Sequence, residues 1–168
     1  AKNVAPGRNR RFAFMHWPGF DEGRWLARTH RAREAELPRA PGLICGSDRD
    51  AGAIRASLDN AERAGVSADV DFSQRALSAA EPAGGKGWLL TNPPYGVRVG
   101  DASVRNLYAQ LGKVARNTFP GWKVGILSAD HALDRQVGVQ FERAFQTTNG
   151  GIPVRFVLGV VGRGPPFA

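Results

Sequence analysis

Asn92, Pro93, Pro94 and Tyr95 stand in a row directly after the apolar run Lys86–Thr91. Two consecutive prolines fix two φ angles and remove two N–H donors. The residue ahead of them is pushed into an extended conformation. The Asn92 amide oxygen and the Pro93 carbonyl can then sit side by side and accept both hydrogens of one NH2 group. The nitrogen lone pair is left free to face an electrophile. Tyr95 supplies a flat ring on which a planar base can stack. The plainer use of the same four residues is a rigid turn with an ordinary surface tyrosine.

Asp48 is a second candidate. It ends the short apolar run Gly42–Asp48, and a helix pattern follows at once. Open α/β sheets bind ligands at the carboxyl ends of their strands, where a carboxylate can accept two hydrogen bonds from a ribose diol. The plainer role, capping the next helix, suits Asp50 better. Arg8, Arg10 and Arg11 lie beside Phe12 and Phe14. They can contact RNA phosphates and bases, or form a solvated basic loop whose phenylalanines anchor it to a core.

The bulk numbers limit the choices. The chain has 168 residues, 42% hydrophobic and 23% charged, with a net charge of +8. That is ordinary globular material for a single domain spanning 1–168, and the basic balance suits a polyanionic partner. Cys45 is the lone cysteine, which excludes an internal disulfide framework and fits a reducing compartment. It reads as a buried residue of its strand. His16, His30 and His131 are scattered, so no metal site is expected. No apolar run approaches membrane-spanning length, and no signal peptide is read in the basic opening residues.

The elements that must position these residues alternate. Asp21 caps a helix with Trp25, Leu26 and Ala32 towards one side. Strand Gly42–Asp48 leads to a helix capped by Asp50, with Ile54, Leu58 and Ala61 on one face and Gly65 at its end. Ala68–Phe72 and Lys86–Thr91 read as strands, Ser103–Phe119 as a helix, and Trp122–Asp130 as a buried strand. Two final strands flank a turn at Asn149-Gly150. The order implies an α/β fold: a mostly parallel sheet with an antiparallel C-terminal hairpin.

"TNPPYGVR", Thr91–Arg98, resembles the (Asn/Asp)-Pro-Pro-(Tyr/Phe) motif of amino-directed methyltransferases that use S-adenosyl-L-methionine. Gly96 and Arg98 resemble the branch that methylates N2 of guanine in RNA. "NVAPGRNRRFAFMHW", "GSDRDAGAIRASLDNAERAGV", "GWLLTNPPYGVRVG", "LYAQLGKVARNTFPGWKVGILSAD" and "NGGIPVRF" are similar, in this order, to the catalytic domain of bacterial large-subunit rRNA N2-guanine methyltransferases. The resemblance covers nearly the whole chain. It implies a class I, Rossmann-like methyltransferase sheet, large-subunit rRNA as partner, an upstream RNA-binding THUMP domain and a cytoplasmic setting.

The resemblance also implies roles. Asp48 takes the cofactor's ribose hydroxyls, with Ser47 and Arg49 flanking the adenosine. Ala76 and Leu77 occupy the place where related enzymes often put an aspartate on the adenine amine. Ala76 has no side-chain acceptor, so adenine recognition there falls to backbone groups and apolar packing. Asn92 and Pro93 hold the target amine, Pro94 stiffens them, Tyr95 carries the target base, and Arg98 meets the nucleic acid.

One departure stands out. In this family the cofactor's methionine part sits over a glycine-rich loop after the first strand. No Asp-Pro-x-x-Gly-Ser-Gly loop occurs, and "VVGRGPP" follows the last strand instead. The chain is therefore expected to begin in the helix after that loop. It should lack a central strand, leave two strand edges unpaired and, alone, bind cofactor weakly or not at all. Two other functions remain open on sequence: a DNA adenine-N6 methyltransferase, which shares the motif's chemistry, and a basic nucleic-acid-binding remnant without catalysis.

Overall fold

The computed structural model describes residues 1–95 and 101–162. The chain divides into two compact units, Ala1–Gly46 with Asp50–Ser73, and Ser47–Arg49 with Gln74–Ala168.

The first unit holds helices α1 (Glu22–Glu34) and α2 (Ala51–Ala64). Each starts where an aspartate can satisfy an otherwise orphaned donor. Asp21 accepts from the Arg24 N–H at 2.8 Å, and Asp50 from the Ala53 N–H at 2.8 Å. Gly65 ends α2 in the left-handed region at φ 68°, its N–H bonded to the Glu62 carbonyl. A short 3-10 turn, Ser67–Asp69, follows. Its Asp69 accepts from Lys2 Nζ at 2.6 Å and from the Ala40 N–H at 2.8 Å. The Lys2 hydrogen bond, with help from that N–H, holds the Asp69 carboxyl below the usual carboxylate range. Packing is modest: α1 buries no residue, and Leu26 is 58% exposed.

Strands β1 (Cys45–Asp48) and β2 (Asp71–Gln74) form a two-stranded sheet. Asp71 donates to the Ile44 carbonyl and Arg75 to the Asp48 carbonyl, equal steps along both chains, so the pair is parallel. Cys45 is exposed, against the buried position expected for it; β1 has β2 as its only strand neighbour among the described residues, and only its Gly46 is half-buried. The strand expected at Ala68–Phe72 starts at Asp71, because Asp69 and its neighbours turn to meet Lys2 and Ala40.

The second unit carries the main core. Its sheet has the order β3 (Trp88–Thr91), β4 (Lys123–Ser128), β6 (Ile152–Val160), β5 (Phe141–Asn149). β3 and β4 are parallel, while β6 is antiparallel to both β4 and β5. Three strands therefore run one way and β6 the other, as expected for a mostly parallel sheet closed by a hairpin. One face is packed by α3 (Asp101–Thr118) and α4 (His131–Val137). Val104, Tyr108, Leu111 and Ala115 of α3 meet Val124 and Ile126 of β4, with Leu133 and Val137 of α4. The helices pack closely: a Cβ on Gly112 would lie 2.0 Å from the Val137 carbonyl oxygen. The other face leaves Trp88, Leu90, Phe145 and Val160 exposed.

Two details differ from the sequence reading. The helix α4 is unanticipated there, although Asp130 caps it and Gly138 ends it at φ 68°. The hairpin turn is one residue later than expected. Asn149 pairs with Ile152, and Gly150 and Gly151 take the positive φ values of 58° and 82°, which is what a two-residue hairpin with right-handed strand twist demands.

Candidate functional site

β3, β4 and β5 share a direction, so their carboxyl ends lie along one edge of the sheet. Asn92 to Tyr95 leave β3 at that edge. Pro93 is buried, Asn92 and Pro94 are exposed, and Tyr95 is half-buried. The buried Pro93 anchors the turn while the amide stays at the surface. The Tyr95 hydroxyl donates to Asn92 Oδ1 at 2.6 Å. Asn149, the last residue of β5, donates from Nδ2 to the Tyr95 hydroxyl at 2.8 Å. An unbroken chain of hydrogen bonds thus runs Asn149–Tyr95–Asn92. Asn149 is not among the site residues that sequence singles out. Its only local signal is the glycine pair behind it, which makes it look like a turn residue.

Beneath this edge lies a polar layer. Tyr108 of α3 is fully buried, and desolvation, the leading cause, pushes its phenol up to about 12. Ser128, at the end of β4, is buried too and accepts from the Asp130 N–H at 3.3 Å. Asp134 of α4 pairs with Arg155 of β6 at 2.7 Å, with both side chains mostly buried. That ion pair ties the short α4 to the sheet.

The proposed adenosine residues gather elsewhere, at the carboxyl end of the β1–β2 pair. Asp48 and its neighbours Ser47 and Arg49 are exposed. The Asp48 carbonyl accepts from the Arg75 N–H at 2.8 Å, and the Arg49 carbonyl from Gln74 Nε2 at 3.2 Å. These bonds place Ser47–Arg49 beside the segment that leads to Ala76 and Leu77. The Ala76 carbonyl accepts from the Ala79 N–H at 2.9 Å, opening the 3-10 turn Leu77–Ala79. Leu77 packs its side chain against the main core.

The basic residues divide. Arg8 is engaged internally, with Glu36 and, at 3.4 Å, the Ala64 carbonyl. Arg10 and Arg11 are exposed, and the Arg10 guanidinium lies 5.5 Å from the centroid of the Phe12 ring. Phe12 and Phe14 stack at 5.3 Å and both meet Trp25 edge-on, which anchors the loop to α1. Arg98 lies outside the described residues. Among the described residues no group of three or more His, Cys, Asp or Glu is placed to hold a metal ion, and no helix is long and apolar enough to cross a membrane.

Residues 1–157 match the family described as RMKL-like, methyltransferase domain. The chain belongs to that family. It is 37% identical over 164 residues to the ribosomal RNA large subunit methyltransferase K/L of Allochromatium vinosum, covering 94% of this chain and 22% of that protein. Among solved structures, a possible methylase from Clostridium difficile 630 matches with TM-score 0.79 and 27% identity, over 99% of this chain and 44% of that one. SMU.472, solved complexed with SAH, matches with TM-score 0.78 and 28% identity, again over 99% and 44%. The chain thus spans 22% to 44% of the length of these relatives. Its α/β fold is that of the methyltransferase structures it matches.

Proposed function

We propose that the polypeptide carrying this domain transfers a methyl group from S-adenosyl-L-methionine to the exocyclic N2 amine of a guanine in ribosomal RNA. The observation that carries this reading is the exposed Asn92 amide on a buried Pro93, with the Tyr95 ring beside it, at the carboxyl edge of β3. The rRNA methyltransferase relative supports RNA as substrate, and the SAH complex of SMU.472 supports the donor.

The residues present fit the adenosine portion of that donor. Asp48 stands exposed at a strand's carboxyl end, where a carboxylate can take a ribose diol. When bound, the donor supplies an electrophilic methyl on a cationic sulfur. Asn92 and the Pro93 carbonyl accept from the target amine and orient its lone pair. Both hydrogen bonds strengthen as positive charge grows on the nitrogen, which favours the transition state over the ground state. The methyl carbon would exchange its bond to the donor's sulfur for one to the amine nitrogen, and the cationic amine would release a proton to solvent. Most of the protein's contribution is positioning. A base inside a helix cannot reach this geometry, so the target is extruded and stacks on Tyr95.

Replacing Asn92 by alanine in the full natural polypeptide tests the assignment. Turnover with rRNA should fall by about 10²-fold or more, the scale for losing one such polar contact. Unchanged turnover would remove Asn92 from the reaction. Preferential methylation of DNA over RNA by the unaltered protein would favour adenine N6 instead.

A further inference from the structure

Asn149 has no role in its own turn. The positive-φ positions belong to Gly150 and Gly151, while Asn149 has an ordinary strand backbone and pairs with Ile152. Its side chain is exposed to solvent yet committed to one partner, the Tyr95 hydroxyl, 54 residues away in sequence at 2.8 Å. The hydroxyl in turn donates its proton to Asn92 Oδ1 at 2.6 Å.

We propose that Asn149 is a positioning residue for amine methylation, acting through the Tyr95 phenol. This rests on the reading above and deepens it. In the resting site the phenol proton stands where a hydrogen of the target amine would bind Asn92. The amide oxygen has two lone pairs, so an entering amine can bind beside the phenol or take its place, and where it takes that place the phenol loses its acceptor. The donor from Asn149 remains, because it uses an oxygen lone pair rather than the proton. Asn149 therefore keeps the ring at the edge of the sheet after Asn92 has changed partner. The hairpin β5–β6 becomes part of the acceptor site, although no reacting atom touches it.

Asn149 acts only through the Tyr95 hydroxyl, so the two substitutions must interact. The test is a double-mutant cycle of Asn149→Ala and Tyr95→Phe in the full natural polypeptide, followed as kcat for methyl transfer to rRNA. Asn149→Ala should lower kcat roughly 3- to 10-fold, the range for one neutral hydrogen bond, with an unchanged unfolding temperature. In the Tyr95→Phe background it should change kcat by less than about 1.5-fold, since the shared partner is gone. Equal losses in both backgrounds, or none in either, would overturn the proposal.

A second measurement needs no activity. With ring-labelled tyrosine, the NMR signal that disappears in Tyr95→Phe should shift and sharpen in Asn149→Ala. An unmoved Tyr95 signal overturns the anchor. If the unaltered protein methylates no RNA but the signal moves, the anchor stands and it is the RNA reading that fails.

Discussion

Tyr95 has two separable parts, a ring and a hydroxyl. The ring can stack on a base, and the hydroxyl bridges Asn149 and Asn92. Tyr95→Ala removes both and should cost about 10- to 100-fold in kcat/KM on rRNA, from a stacking contribution of about 1–3 kcal/mol per base. Tyr95→Phe keeps the ring and should stay within about tenfold of the natural protein, because one neutral hydrogen bond is worth about 1 kcal/mol net. Steady-state kinetics on the two variants separates the parts; equal losses would mean the ring carries nothing. The acceptor motif was legible because its chemistry lies within four consecutive residues, two of which are prolines with fixed φ. Asn149 was not legible. Its contact exists only because β5 runs parallel to β3 and β4, with β6 returning between β4 and β5, a consequence of sheet order rather than of local sequence.

Among the elements, α4 is joined to the sheet by a mostly buried ion pair. Arg155→Ala would leave Asp134 buried without its ion-pair partner, which costs about 3–5 kcal/mol when the pair is desolvated. Chemical denaturation should show a loss of that size, and a change under 1 kcal/mol, as is typical of exposed pairs, would show the pair to be solvated. The Tyr108 phenol gives a second check. Its folded value of about 12 lies above the 10.0 of a free tyrosine, so the folded state holds the proton more tightly. The resulting stability is complete below pH 10 and is lost as pH rises from there to about 12. In Tyr108→Phe the alkaline fall over that window should be smaller. The aspartate-capped helices α1 and α2 and the inward face of α3 were legible, since caps and a 3.6-residue period are local. Leu26 and Leu58 were placed on the apolar side of their helices by the same period and are exposed, because periodicity says which side is apolar and not whether anything covers it. At seven residues α4 is too short for a period to stand out.

For the molecule as a whole, the two sheets matter most. β1 pairs only with β2, and β3 only with β4, among the described residues. The strand order within each sheet could not be read from sequence, because alternation fixes fold class and not adjacency. The basic balance was legible, and it gives a prediction at this scale: affinity for rRNA should fall with rising salt, as expected for cations that displace counterions from phosphates. The donor side gives another. No Asp-Pro-x-x-Gly-Ser-Gly loop occurs in the 168 residues, so the chain alone should show no micromolar affinity for S-adenosyl-L-methionine by calorimetry. Micromolar binding would show that the residues at the ends of β1 and β2 suffice.

The central claim is that the amide at the end of β3 directs a methyl group onto a guanine amine in RNA. The most direct measurement supplies the full natural polypeptide with rRNA and S-adenosyl-L-methionine bearing a deuterated methyl group, then digests the RNA to nucleosides for mass spectrometry. The expected result is deuterated N2-methylguanosine, formed about 10²-fold or more slowly when Asn92 is replaced by alanine. Label on any other nucleoside, or label on N2 of guanosine that forms at an unchanged rate after the Asn92→Ala substitution, would contradict it.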